Sequence, residues 1–299
     1  MRIAAHLCVK DEVELLEPCI AHLWAIGVDH IVAVDNNSTD GSLEILQRSR
    51  SDRFSLFQID DLEPDGEEKI WLRRNLEFSK TARADWVLYL DADEFWIPAT
   101  GSLRDCRALA DHDVIRVDRF NTPLGAHGAL MPDQLIPPRY DELLLYAQRI
   151  PNFKEYLRQH PESAWLRGVP VPKVMVRPQL IGSLADGMHD ASPIAGADLR
   201  RTTPADLLIA HVPMTTFPRF RRKVDNIRKQ IQVHDQYFVG DLAWHWRRWA
   251  ALDVRGELEQ EFQRTQLDER AIADARAHGS ILSAREYLDG RRAPELAGS

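Results

Sequence analysis

Long apolar runs are what this 299-residue chain most plainly lacks. No stretch approaches the roughly 18 residues that a membrane-crossing helix needs. The amino-terminal MRIAAHLCVKDEVELL turns charged at Lys10 and offers no A-x-A site behind an apolar core, so no signal peptide is expected. Cysteine is scarce: Cys8, Cys19 and Cys106 are the only ones, and no CxxC pair occurs. That excludes a disulfide framework and a structural zinc site, and it fits a reducing compartment. A basic excess is missing as well. Lys and Arg number 38 against 46 Asp and Glu, a formal charge of −8, which argues against a nucleic-acid partner. No internal repeat occurs. The expectation is a cytoplasmic protein, still able to associate peripherally with a membrane face.

What is present has the composition of a globular protein, 44% hydrophobic and 28% charged. The length suits one or two domains at about 150 residues each. The first 120 residues alternate between strand and helix signals. Ile3–Val9 is a short apolar run ending at Lys10-Asp11-Glu12. Leu16, Ile20, Leu23 and Trp24 form a helical stripe that Gly27 stops, with Pro18 in the first turn or bending the helix. His30–Asp35 reads as a strand, Asn36–Gly41 as a turn and Ser42–Arg50 as a helix. Phe54–Ile59 is a strand, Lys69–Ala84 a helix, and Trp86–Leu90 (WVLYL) a fully apolar strand. Val114–Phe120 is another strand. Such alternation predicts an α/β protein with a mostly parallel sheet flanked by helices.

The middle of the chain changes character. Prolines crowd Thr122 to Pro178 (Pro123, Pro132, Pro137, Pro138, Pro151, Pro161, Pro170, Pro172 and Pro178), which reads as site-bearing loops. Lys173–Arg177 and Leu207–His211 look like strands returning to the sheet. From Phe217 onward the pattern is helical and charged. This divides the chain into an α/β part, 1–218, and a helical extension, 219–299, or else a single domain.

The strongest chemical signal is Asp91-x-Asp93 directly after WVLYL. In open parallel sheets ligands bind beyond the carboxyl ends of the strands. Two carboxylates there repel unless a cation sits between them, and Mn²⁺ or Mg²⁺ accepts such oxygens and shares substrate phosphates. The bland alternative makes Asp91, Asp93 and Glu94 solvated loop acids or helix caps. Asp35, ending the second strand in VDNNSTDGS, can accept a bond from a ribose hydroxyl or a base N–H. Asp40 and Gly41 read as turn residues. The helical pair Arg73-Arg74 is either a solvated face or aims one Arg at a pyrophosphate. Of two histidines able to complete a metal shell, His189, in the Gly-rich IGSLADGMHD, is preferred to His211 at the end of LLIAH. Gly182 and Gly187 give the His189 loop its freedom to fold over a diphosphate. Trp244, Trp246 and Trp249 read as helix packing.

Taken in order, KDE, VDNNSTDGS, the RRN helix, WVLYLDADEFW, KVMVRP, a His and LIAHVPMTTFPRFRRK resemble the family 2-like glycosyltransferases of the GT-A fold over roughly residues 3–225. The nearest subgroup shares its pattern with family 92, the galactan-synthase-like group. The resemblance implies a Rossmann-like GT-A fold and transfer of a hexose from a nucleoside diphosphate sugar, UDP-sugars favoured, to a glycan or glycolipid hydroxyl. It implies nucleotide contacts from Lys10, Glu12, Asp35, Arg74 and Asp91. It implies a metal shell of Asp91, Asp93 and His189, with Asp93 the more direct ligand of Mn²⁺ or Mg²⁺. Asp11 stands where the family has Asn, and Asn121–Gly128 is similar to a family FGxxG loop. No catalytic base is assigned. Two other readings remain: a haloacid-dehalogenase-type phosphohydrolase, which also uses DxD after a strand, and a non-catalytic sugar-nucleotide binder. For the phosphohydrolase the motif comes late in the chain, and Gly240-Asp241 lacks a second Asp at the right spacing.

Overall fold

The computed structural model describes residues 1–60, 70–126, 128–129, 139–234 and 243–296. Lys69, His127, Pro132, Pro137, Pro138, Gly240 and Asp241 of the sequence reading lie outside the described residues. The amino-terminal elements are β1 (Ile3–Val9), α1 (Val13–Ala25), β2 (His30–Asp35), α2 (Ser42–Arg48), β3 (Phe54–Gln58), α3 (Ile70–Thr81), β4 (Trp86–Asp91) and β5 (Glu94–Pro98). They are followed by β6 (Val114–Val117), β7 (Arg119–Asn121), β8 (Lys173–Val176), β9 (Ile181–Leu184), β10 (Ala191–Pro193), β11 (Arg201–Thr202) and β12 (Leu207–His211). The carboxyl-terminal part is helical: α4 (Phe217–Val233), α5 (Trp244–Val254), α6 (Leu258–Thr265), α7 (Glu269–Ala277) and α8 (Ala284–Leu296).

The main sheet has the order β11-β6-β8-β4-β1-β2-β3. Every strand in it runs the same way except β8, which pairs antiparallel with both β4 and β6. The fold is therefore α/β with a mostly parallel sheet, as the alternation predicts. Strands of such a sheet are buried on both faces and read as apolar runs. In β1, Ile3, Ala5, Leu7 and Val9 pack with α1, where Leu15, Leu16, Cys19 and Leu23 are buried; Ala4 turns to the other face with Leu72 and Leu76 of α3. Pro18 sits inside α1 rather than in its first turn. α2 stops at Arg48, two residues short of the expected end.

Two strand expectations change in a way that matters for the site. Val114–Phe120 is not one strand. It divides at Asp118 into β6, in the main sheet, and β7, in a second sheet of order β5-β12-β7. Leu207–His211 joins this second sheet, antiparallel to β5 and parallel to β7, and does not return to the main one. The reason lies just after β4. Ala92-Asp93 forms a tight turn instead of opening a loop, and the chain re-enters β5, whose residues Glu94–Pro98 are all buried. The apolar LLIAH run covers that strand. A third cluster, with Phe220, Trp249, Leu252, Leu258 and Phe262, ties the carboxyl-terminal helices together; Trp249 packs there as expected.

Leu88, fully buried at the centre of β4, tests the sheet core. Leu88→Ala is expected to lower unfolding free energy by about 2–5 kcal/mol, through lost burial and the cavity left behind. Urea denaturation followed by circular dichroism measures it, and a loss under about 1 kcal/mol would contradict the packing described.

Candidate active site at the carboxyl edge of the sheet

Register brings the acidic motifs level. Val9 pairs with Asp35 and Cys8 with Asp91, so the segment after β1 lies between the ends of β2 and β4. Lys10-Asp11-Glu12 is stitched into that position. Lys10 Nζ donates to the Asn37 carbonyl at 2.6 Å. Asp11, with a positive φ of 54°, accepts from the Thr39 amide and from Asn226 Nδ2, each at 2.7 Å. Asp40 accepts from the Val13 and Ser42 amides at 3.1 and 3.0 Å, a capping role as expected for a turn residue.

Asp35 is completely buried. Its Oδ2 accepts from the Ser38 amide at 3.2 Å, and its Oδ1 has no hydrogen-bond partner among the described residues. A buried acceptor without a donor is costly, on the order of 1–3 kcal/mol. Arg74 lines an open cleft of about 420 Å³ with Asn37, Gln58, Ile59 and Asp60 beyond the ends of β2 and β3. Its neighbours in the RRN motif do other work: Arg73 faces Glu77 at 3.9 Å, while buried Asn75 holds His6 Nε2 at 2.9 Å.

The two aspartates of DxD point to different cations. Asp91 Oδ2 accepts from Lys173 Nζ at 2.8 Å. Lys173 is buried, and it also donates to the Gly187 carbonyl at 2.9 Å. Asp93 is buried and faces the other way. Its Oδ2 lies 2.8 Å from Lys223 Nζ, 3.2 Å from an Arg219 nitrogen and 3.6 Å from His211 Nε2. Burial raises the Asp93 pKa, but the Lys223 and Arg219 charges beside it overcome this and hold the group well below the usual carboxylate range. Glu94, also fully buried, receives Arg119, and its Oε2 accepts from the Asp91 amide at 3.0 Å. Asp93 and Glu94 are therefore not solvated loop groups, whereas the Asp91 side chain stays 45% exposed.

Arg219 joins the halves of the site. It donates to Glu12 Oε2 through Nε at 2.8 Å and through a terminal nitrogen at 2.6 Å, and to the Val212 and Pro213 carbonyls at 3.3 and 3.1 Å. α4 supplies it because Thr216 caps the helix and sets its phase. The i, i+3, i+4, i+7 face of α4 then presents Arg219, Arg222, Lys223 and Asn226 to Glu12, Asp40, Asp93 and Asp11. The helix that the sequence reading sets beyond residue 218 thus contributes to the site. Lys173, Arg119, Arg219 and Lys223 are absent from the sequence-based candidates. The clearest hint of them was the basic i, i+4 pair Arg219 and Lys223 in the helix that follows LIAHVPMTT.

The histidines separate clearly. His189 lies in the turn of the β9–β10 hairpin, where its Nδ1 donates to the Pro172 carbonyl at 2.9 Å. Nε2 therefore keeps its lone pair, and burial, with Lys173 and Arg119, pushes the ring pKa down to about 3. Gly187 is required here: its φ is +60°, and a Cβ would come within 2.6 Å of His189 Nε2. His211 Nδ1 meets Asn121 Oδ1 at 2.7 Å, and Asn121 Nδ2 is spent on the Leu166 carbonyl. Oδ1 must accept, so His211 Nε2 also keeps a lone pair, and it faces Asp93. Burial lowers the His211 pKa to about 4 against the pull of Asp93. The structure sets His211 against Asp93, and it leaves His189 on the Asp91 and Lys173 side.

Among the described residues no three His, Cys, Asp or Glu side chains form a metal-holding group. A carboxylate and an imidazole lone pair facing each other 3.6 Å apart nevertheless suit Mn²⁺ or Mg²⁺, which take further oxygens from phosphate and water. The donor set at Asp93 and His211 fits such an ion.

Residues 5–113 match the family model described as Glycosyl transferase family 2. No curated protein matches the chain. Among solved structures, S. aureus TarS 1-349 is 14% identical, with 82% of this chain and 68% of that chain covered and a TM-score of 0.35. The same protein in complex with UDP gives 15%, 82%, 68% and 0.36. Glucosyl-3-phosphoglycerate synthase from Mycobacterium tuberculosis, in complex with Mn²⁺, UDP and phosphoglyceric acid, is 16% identical, with 61% of this chain and 58% of that chain covered and a TM-score of 0.34.

The Asp93 cluster carries a pH signature. A carboxylate with a depressed folded pKa stabilises fully above its unfolded value near 3.9, and the contribution is lost as pH falls toward the folded value. The stability gap between the wild type and Asp93→Asn is therefore expected to be constant above about pH 5 and to narrow below about pH 4. Urea midpoints measured across that range test it; a gap that widens on acidification would contradict the assignment.

Proposed function

We propose that the chain is a glycosyltransferase of the family 2-like GT-A type that takes a nucleoside diphosphate sugar, with a divalent cation, and transfers the sugar to a hydroxyl. The observation that carries this reading is the completely buried Asp35, its Oδ1 without a donor among the described residues, level in register with the DxD strand. The family match over residues 5–113, which contains both motifs, supports it. No helix among the described residues is long and apolar enough to cross a membrane.

In this reading Asp35 accepts from the base or ribose and thereby satisfies its orphan oxygen. Arg74 stands in the open cleft next to it, within reach of a nucleotide's anionic groups. Asp91, tethered by Lys173, faces the ribose and diphosphate. Asp93 and His211 would hold Mn²⁺ or Mg²⁺. When bound, that ion would supply Lewis-acid stabilisation of the departing diphosphate. Lys173 and Arg219 stand behind the DxD turn as fixed positive charge, aimed where negative charge accumulates. His189 Nε2 offers an acceptor on the Asp91 side. UDP-hexoses are the proposed donors, a glycan or glycolipid the proposed acceptor class, and the family 92-related subgroup the proposed kinship.

A screen of UDP-, GDP- and TDP-sugars for hydrolysis and transfer, with and without Mn²⁺, tests the reading; no turnover with any donor would leave only a binding protein. Asp35→Ala is expected to weaken UDP binding by roughly tenfold, the loss of one buried charged hydrogen bond. Unchanged affinity in calorimetry would remove Asp35 from the nucleotide site. Asp93→Ala should abolish turnover. His211→Ala should raise the Mn²⁺ concentration for half-maximal activity well above that of His189→Ala, and the opposite order would return the metal to His189.

A further inference from the structure

Asp93 carries two side-chain cations that are held very differently. The Arg219 side chain is 1% exposed. It is pinned by Glu12 and by the carbonyls of Val212 and Pro213. The Lys223 side chain is 28% exposed, and among the described residues its ammonium meets Asp93 Oδ2 alone, at 2.8 Å. Its long unbranched stem is flexible, whereas the Arg fork is fixed by its geometry. Both the ammonium and a divalent ion need the same oxygen. An ion bound at about 2.1 Å crowds the cations already on that oxygen, and of the two it is the flexible ammonium, not the guanidinium held by Glu12 and two carbonyls, that can leave.

We propose that Lys223 is an exchangeable counter-ion of Asp93: its ammonium holds the cation seat in the free protein, yields it when a divalent ion enters, and swings to the diphosphate that the ion brings. This rests on the reading that Asp93 and His211 receive the cation. Arg219 stays in place throughout and keeps Asp93 oriented. The exchange has a direct consequence for affinity. A site whose competent form must first break an ion pair binds its ligand more weakly by that factor. In the absence of nucleotide the cation therefore binds weakly. With a diphosphate present the displaced ammonium gains a new partner, so metal and nucleotide favour each other's binding.

The test uses Mn²⁺ alone, titrated into the full-length protein without nucleotide and followed by electron paramagnetic resonance of free Mn²⁺. Lys223→Met removes the charge and keeps most of the stem, and it is expected to tighten Mn²⁺ binding by roughly threefold to tenfold, the worth of a half-exposed ion pair. Lys223→Arg should leave the affinity at or below the wild-type value, and Asp93→Asn should lose binding. Repeating the titration with UDP should shrink the advantage of Lys223→Met. Lys223→Gln replaces Lys223→Met if the latter does not fold by circular dichroism. Unchanged or weaker Mn²⁺ binding in the charge-removing variant overturns the exchange. If the wild type still turns over donor sugar, the functional reading survives that result. A tightened Mn²⁺ affinity without turnover on any donor supports the exchange and overturns sugar transfer. Absence of Mn²⁺ binding in both proteins overturns the exchange and the metal assignment together.

Discussion

The buried guanidinium of Arg219, shared between Glu12 and Asp93, is the interaction on which the site depends. It links a residue after the first strand, a residue in the turn after the fourth, and a helix that starts more than two hundred positions after Glu12. Its remaining donors are spent on the Val212 and Pro213 carbonyls. Lys does not replace it, because a single ammonium lacks the planar fork that reaches two carboxylates and two carbonyls at once. Such a pair is weak evidence for added stability, since desolvating the charges offsets their attraction. Its contribution is geometric: with α4 fixed by Arg219, Lys223 and Asn226 fall on Asp93 and Asp11.

Charge balance follows from the same arrangement. Glu12, Asp91, Asp93 and Glu94 crowd one sheet edge, a costly grouping for carboxylates taken from water. Arg119, Lys173, Arg219 and Lys223 answer them from separate elements: β7, β8 and α4. The cations are thus installed before any ligand arrives. Arg119, Lys173 and Arg219 are each buried, whereas Lys223 is partly exposed and is the mobile member of the set. Asp35 stands apart from the balance. It is buried with one accepted bond and, among the described residues, one oxygen without a partner.

The parts of the fold that were legible in sequence are those written in local hydropathy. IAAHLCV, HIVAVD and WVLYL are strands because only apolar, β-branched or aromatic runs survive burial on both faces of a parallel sheet. The acids Asp35, Asp91 and Asp93 were visible because each sits where such a run stops. Their partners were not. Lys173 opens the KVMV strand, just ahead of its apolar residues, and its partner Asp91 is 82 positions away. Arg219 and Asp93 are separated by 126 positions. Hydropathy says that VIRVDRF and LLIAH are extended; it does not say that the chain changes sheets at Asp118, or that LLIAH covers β5.

That choice of sheet decides which histidine meets the motif. In an antiparallel pair the end of one strand lies opposite the start of the other. β12 runs antiparallel to β5, so its last residue, His211, pairs with the first of β5, Glu94. Asp93 immediately precedes Glu94, and its carbonyl accepts from the Val212 amide at 2.8 Å, extending the ladder into the DxD turn. A residue ending β12 is therefore held against Asp93 by backbone pairing, with no loop to order. His189 reaches the neighbourhood by another route. It depends on the β9–β10 hairpin, on Gly187 at positive φ, and on the Pro172 carbonyl that orients its ring. Had LLIAH entered the main sheet, its register with β5 would be lost and His211 would not be set beside Asp93. Placed on β5, the apolar strand delivers the imidazole by register.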